Sequence, residues 1–540
     1  MPSTIARKPL FSAASILLLL FAFALRVEYE YTFFPYQFDN GAQINAARSY
    51  ANHQGLKECA VKSQDISRVV CEEQTWWAIG VPVLLSYADK ITGDLLQAEF
   101  LLRCFGLLVL FVSIFFIYKL LLEEVSVLSF YLFCIFYAFQ FTLYQGLTFT
   151  SDLLALAFFM AACCCSFYLI FTRQKLLTRL LLGLLCGFLL FLTGFMRYAY
   201  YTSIPIVPFS MLLVSLLKRR RSLLAPIVMI CLAVLLFFAL TQLIYPGHFA
   251  ANTYFREKTN GFFPENLLSF DPFIFKSFVS WDLFVSRAEN LGRAAFLLVN
   301  LVVWIISLVL LYPLAASSYR DFRRLSTEEL RPTAYLKILT WGSLFSIVLV
   351  LSHLSVRSPK MYEEDPWTYV ATTRYFLPFI VLFQINIFNY VASLKRLRPF
   401  SLKTVVALFL CAAFLLQLTI WVALRYKAYI KHNSTSAFAY RVETQEKVNR
   451  LVDSLSRTEN RPVVLVGHYG TEPLDGRTSY LFANDFYMNA DRVKASEPTI
   501  LLLRLPKKLK QLEKDFIASH DGQKLLEFQD TDLYRTDVKP

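Results

Sequence analysis

Charge is scarce in this chain. Only 17% of its 540 residues are Asp, Glu, Lys or Arg, against about 25% in ordinary soluble domains. Apolar residues make up 56%, and the mean hydropathy is +0.47. That balance excludes an ordinary soluble enzyme and makes a polytopic membrane protein the expected class. The net charge of +14 does not point to nucleic acid, because the basic residues punctuate apolar runs as membrane topology requires. No internal repeat is visible, which counts against a transporter built from inverted halves. A Gly-rich phosphate loop is missing from the C-terminal tail. Most of the ten cysteines lie in apolar segments (Cys104, Cys134, Cys163, Cys164, Cys165, Cys186, Cys231 and Cys411) and read as small buried hydrophobes. Cys59 and Cys71 alone stand in a polar loop, where a non-cytoplasmic setting makes them a disulfide candidate.

What is present is a series of apolar runs of spanning length, about 20 residues each. Eleven are expected, at 9–26, 100–119, 125–144, 151–171, 177–196, 200–217, 223–245, 294–316, 336–354, 375–393 and 404–424. Arg7 and Lys8 ahead of the first run imitate a cleavable signal. Its small-x-small tripeptide, Ala22-Phe23-Ala24, lies inside the run, so a retained helix is expected. Short loops rich in Lys and Arg, such as Lys218-Arg219-Arg220-Arg221, alternate with loops that are long, acidic or aromatic. The basic set is expected in the cytoplasm. The other set, 27–99, 145–150, 197–199, 246–293, 355–374 and the tail, is then outside. This puts the N-terminus in the cytoplasm and the C-terminus outside.

The expected fold is an all-α bundle of about eleven transmembrane helices with a C-terminal α/β domain. The membrane domain is taken as 1–424, including the large outside loops 27–99 (with juxtamembrane helices) and 246–293. The α/β tail is 425–540, with strands around 462–467, 499–504, 525–528 and 533–536. A helix from Pro506 to about Ser519 is expected, since proline suits the first helical position.

Charges near hydrocarbon are costly, so those at outer helix ends are functional candidates. They are Asp39, Arg103, Asp152, Arg197 and Arg374. Two carboxylates can divide labour, one as base and one orienting substrate or holding a divalent cation. Arginines suit phosphate, because the planar fork pairs with its oxygens bidentately. Lys360 in the 355–374 loop is a further phosphate candidate. Trp76, Trp77 and Tyr375 are candidates for sugar or acceptor contact, and Glu73 with His248 for a metal. Each has a structural alternative: an acid at a helix start for Asp39 and Asp152, headgroup anchoring for the arginines, and an aromatic belt for the tryptophans.

The order of local motifs resembles the GT-C superfamily of polytopic glycosyltransferases. The likeness is to the bacterial branch related to protein O-mannosyltransferases and the aminoarabinose transferase of lipid A. It rests on Phe38-Asp39-Asn40-Gly41, on Trp76-Trp77 followed by Leu101-Leu102-Arg103-Cys104, and on Thr150-Ser151-Asp152-Leu153. It continues through Thr193-Gly194-Phe195-Met196-Arg197 and Thr373-Arg374-Tyr375-Phe376-Leu377-Pro378. The resemblance implies Asp39 as the catalytic acid/base, Asp152 as a second acid, and Arg197 and Arg374 near the donor phosphate. It also implies a polyprenyl-phosphate sugar as donor and inversion at the anomeric carbon. The mannosyltransferases carry Asp-Glu where this chain has Asp39-Asn40, and their Lys-Pro-Pro element is replaced by Glu72-Glu73-Gln74. The acceptor (glycan, lipid or protein) and any divalent cation are therefore left open. The alternative function is a transporter or flippase of a lipid-linked sugar or other anionic lipid. Nucleic acid is not an expected partner; the bilayer is.

Overall fold

The computed structural model describes residues 13–33, 38–73, 78–139, 150–246, 262–264, 271–279, 293–324, 329–357, 373–393, 401–431, 437–466, 479–481, 483–528 and 531–540. Each expected apolar run that is described becomes a helix. Among the described residues, nine helices are long and apolar enough to cross a membrane. They are Leu95–Leu121, Thr150–Phe171, Leu176–Met196, Tyr198–Leu217, Arg221–Ile244, Leu298–Arg324, Pro332–His353, Thr373–Ala392 and Leu402–Tyr426. The remaining two expected runs are the helix Ala13–Phe33 and the shorter apolar helix Val127–Phe139. The first helix continues beyond the expected end at residue 26 and carries Arg26, Glu28 and Glu30 in its later turns. Apolar side chains point outward along the helices, with Leu181, Leu235, Leu243 and Leu408 each more than half exposed. In water such a surface would drive aggregation; in a bilayer it is the solvated surface, and the chain is a multi-pass membrane protein.

Two units make up the chain. The first comprises Met1–Val27, Phe105–Leu147 and Ser151–Ala423. Within it, Leu176–Met196 and Leu224–Ile244 pack through a Gly183-x-x-x-Gly187 face. A Cβ on Gly187 would lie 2.6 Å from both the Ala233 Cβ and the Ile230 carbonyl oxygen. Small residues allow this approach, which is how helices associate where lipid removes the hydrophobic drive. Gly194 is tighter still, because a Cβ there would meet the Tyr201 ring at 2.3 Å. The chain then reverses without a polar loop: Arg197 takes an extended conformation, a 3-10 turn follows over Tyr198–Ser203, and Ile206–Leu217 returns.

The second unit comprises Glu28–Cys104, Thr148–Thr150 and Leu424–Pro540. Its strands are β1 (Lys57–Lys62), β2 (Asp65–Glu73), β3 (Val463–Val466), β4 (Ser479–Leu481), β5 (Thr499–Pro506), β6 (Gln523–Glu527) and β7 (Thr531–Val538). They form one sheet in the order β2-β1-β4-β3-β5-β7-β6. Parallel pairing joins β1 to β4, β4 to β3 and β3 to β5, while both flanks are antiparallel. The central strands β3 and β5 are buried almost throughout, as a sheet covered on both faces requires. Val448 and Val452 of the helix Ala437–Glu459 cover one face, and Phe486 and Phe516 belong to the core on the other.

Two expectations change here. The hairpin β1–β2 belongs to the 27–99 loop, yet it shares a sheet with the tail; a boundary at 424 divides what hydrogen bonding joins. Asp65 reinforces that union, since the Ser496 backbone N–H donates to its carboxylate at 3.0 Å. Pro506 ends β5 instead of starting a helix. The helix begins later, at Gln511–Ser519, where Glu513 accepts the Lys510 backbone N–H at 2.6 Å. Cys59 and Cys71 stand opposite one another in the hairpin and are joined by a disulfide.

Candidate functional site

In the first unit, four residues singled out from the sequence come together. Asp152 sits in the first turn of Thr150–Phe171 and is fully buried. A carboxylate there is favoured by the positive end of the helix dipole. Arg197, at the reversal between two helices, brings its Nε to 3.3 Å from Asp152 Oδ1. Arg374 enters from the 3-10 turn Thr373–Phe376, ahead of the helix Leu377–Ala392. Its Nη2 donates to the Tyr375 hydroxyl at 3.3 Å, and its guanidinium carbon lies 5.2 Å from the ring centre. The organising member is Tyr200, which sequence reasoning missed. Buried in the turn after Arg197, it donates its hydroxyl to the Arg374 carbonyl at 3.0 Å. It is also within electrostatic range of Asp152, Arg197, Arg374 and Tyr375. A tyrosine beside a helix start reads as an interfacial anchor, so nothing local marked it.

A second cluster in the same unit holds the turn that carries Arg374. Asp271 accepts from Lys276 Nζ at 2.7 Å and from the Thr373 backbone N–H at 2.9 Å, and from the Thr373 hydroxyl. All of this occurs on a buried segment, 271–279, whose short helix Phe273–Lys276 stacks Phe273 on Phe376 at 3.8 Å. Gln384 and Gln417 donate to the carbonyls of Ser277 and Phe278. Irregular backbone that is buried needs such partners, because an unpaired buried polar group is costly. Asp271 and Lys276 lie in the 246–293 loop and were not singled out from the sequence.

The second unit contains Asp39, the second residue of the helix Phe38–Ala51. Its side chain lies outside the described residues. The next residue, Asn40, is buried and donates to Glu99 Oε1. Arg103 was expected among the phosphate-binding arginines. The structure encloses it instead: it is fully buried, with Nη2 2.7 Å from Glu99 Oε1, Nη1 3.3 Å from Glu30 Oε2, and Nε donating to Thr150 Oγ1 at 3.1 Å. A guanidinium committed to two carboxylates and a hydroxyl inside protein is not open to a lipid phosphate. Glu30 and Glu99 were not singled out from the sequence, since acids at helix ends are unremarkable there.

Trp76, Trp77, Lys360 and His248 lie outside the described residues. Glu73 ends β2 with an exposed side chain 3.7 Å from Lys57 Nζ. Among the described residues no group of three or more His, Cys, Asp or Glu is arranged to hold a metal ion. On the same hairpin, burial pushes the Glu58 carboxyl up to about 7, Lys62 opposes the shift and Glu72 adds to it.

No protein-family model matches the chain, and no curated protein does. Solved structures do. ArnT from Cupriavidus metallidurans in the apo state aligns with a TM-score of 0.51 at 10% identity, over 97% of this chain and 98% of that one. The archaeal oligosaccharyltransferase AglB from Archaeoglobus fulgidus, in complex with an inhibitory peptide and a dolichol-phosphate, aligns with a TM-score of 0.41 at 11% identity, over 91% and 69%. At such identities the likeness to ArnT speaks to the fold. The chain is a polytopic helical membrane protein with a fold like that of ArnT, and it carries an α/β sheet.

Proposed function

We propose that the protein is an inverting glycosyltransferase. It moves a sugar from a polyprenyl-phosphate carrier to a hydroxyl acceptor (a glycan, a lipid or a protein) on the outer face of the membrane. The observation that carries this reading is the cluster of Asp152, Arg197, Tyr200, Arg374 and Tyr375, charged groups gathered within an apolar bundle. Ionisable residues inside a membrane domain are expensive and mark functional sites. The ArnT-like fold and the resemblance of the motifs to the aminoarabinose transferase branch support the same class.

The roles follow from chemistry. Asp39 takes the proton from the acceptor hydroxyl as general base. The acceptor oxygen attacks the anomeric carbon from the face opposite the phosphate. The bond from that carbon to the phosphate oxygen breaks, and the lipid phosphate leaves with the electron pair. Arg197 and Arg374, with Lys360, are assigned to the phosphate, where paired N–H donors best match developing charge. Asp152 orients Arg197 through their ion pair. The outer face follows from the charge distribution of the loops.

Asp39→Asn tests the assignment. Membranes carrying the parent protein, supplied with a panel of synthetic polyprenyl-phosphate sugars, are expected to release polyprenyl phosphate, read by mass spectrometry. The variant should express equally and release none. An active Asp39→Asn protein would overturn the assignment. So would movement of intact donor across proteoliposomes without cleavage, which is the behaviour of a flippase.

A further inference from the structure

Glu99, Glu30 and Arg103 are all at most 1% exposed, and Arg103 is paired with both acids. The hydrogen bonding of Glu99 is lopsided. Oε1 alone accepts from Arg103 Nη2 at 2.7 Å, from Thr150 Oγ1 at 2.9 Å and from Asn40 Nδ2. Oε2 is buried and has no hydrogen-bond partner among the described residues. A carboxylate present only to neutralise an arginine would set both oxygens against the guanidinium fork. This one uses a single oxygen to tie Arg103 and Thr150 to Asn40.

Asn40 is the neighbour of Asp39, and successive Cα atoms lie 3.8 Å apart. The helix Phe38–Ala51 is thereby mounted at two points. At its start Asn40 is gripped by Glu99. Further along, Asn45 donates to the Cys59 carbonyl at 2.8 Å and accepts the Cys59 N–H at 3.0 Å. The second mount sits on the disulfide-linked hairpin; the first stands beside the candidate base.

We infer that Glu99 is a positioning residue for Asp39, acting through Asn40 and held in turn by Arg103 and Thr150. The inference rests on the assignment of Asp39 as base. It separates stability from function. Glu99→Gln keeps the shape of the side chain and leaves the Arg103–Glu30 pair in place, so the variant should still fold and melt near the parent temperature. Its turnover of a polyprenyl-phosphate sugar should fall about ten- to a hundredfold, the penalty of a small misplacement, with KM for that donor unchanged. Asn40→Ala should show the same loss. The double variant should be no worse than the poorer single one, because the two act in series.

Parent-like turnover in Glu99→Gln would overturn the inference. So would a loss that only tracks a lower melting temperature, or additive losses in the double variant. Asp39→Asn run alongside keeps the two ideas apart. If it is inactive while Glu99→Gln is fully active, only the positioning role fails. An active Asp39→Asn protein, or a parent that cleaves no donor, defeats the underlying reading and this role with it.

Discussion

The two buried charge clusters solve the same problem in different ways. In the second unit, Arg103 is fully buried and its guanidinium is met by Glu30, Glu99 and Thr150. In the first, Arg374 is half-buried, its backbone is fixed by Tyr200 and by the Asp271-bound Thr373, and its guanidinium rests beside Tyr375. The protein holds the main chain around Arg374 and the side chain of Arg103. A held main chain with a half-buried guanidinium suits binding a ligand, whereas an enclosed guanidinium suits holding other residues in place.

The largest effect on stability should come from Arg103→Leu. It leaves Glu30 and Glu99 buried without their cation, a loss of about 3–5 kcal/mol, seen as a large drop in thermal unfolding of the purified protein. A variant that melts like the parent would break the comparison. Arg374→Ala should behave in the opposite way. Donor cleavage falls about a hundred- to a thousandfold, while stability stays within about 0.5 kcal/mol. If instead it unfolds the protein and leaves the specific activity of the folded fraction unchanged, the turn is only structural.

The smallest effect concerns a carboxyl with no guanidinium to answer it. Burial holds Glu58 at about 7 against an ordinary 4.5; Lys62 opposes the shift and Glu72 adds to it. The folded state therefore keeps this proton when the unfolded chain has lost it. Stability is full below about pH 4.5 and declines as pH rises through about 7. Glu58→Gln should flatten that part of the melting-temperature profile between pH 5 and 8. A profile as steep as the parent's would mean another group is responsible.

Much of the site was legible because its members are rare where they stand. Asp152, Arg197 and Arg374 interrupt or border apolar runs, and each lies at a helix end. Tyr200 and Asp271 were not legible. A tyrosine at a helix start and an aspartate in a long loop are common, and their importance arises from partners 174 and 102 residues away. Arg103 was legible as unusual but not in its role, because its partner Glu30 is 73 residues distant.

Hydropathy is a local quantity, summed over about 20 residues, and so the sequence by itself determined the membrane class and the eleven apolar helices found among the described residues. Pairing is not local. Which acid meets which arginine, and the joining of β1 and β2 to strands some 400 residues later, was decided only by the tertiary structure. A buried charge has to find a partner wherever the fold brings one, and a sheet edge pairs with whichever strand the chain delivers to it.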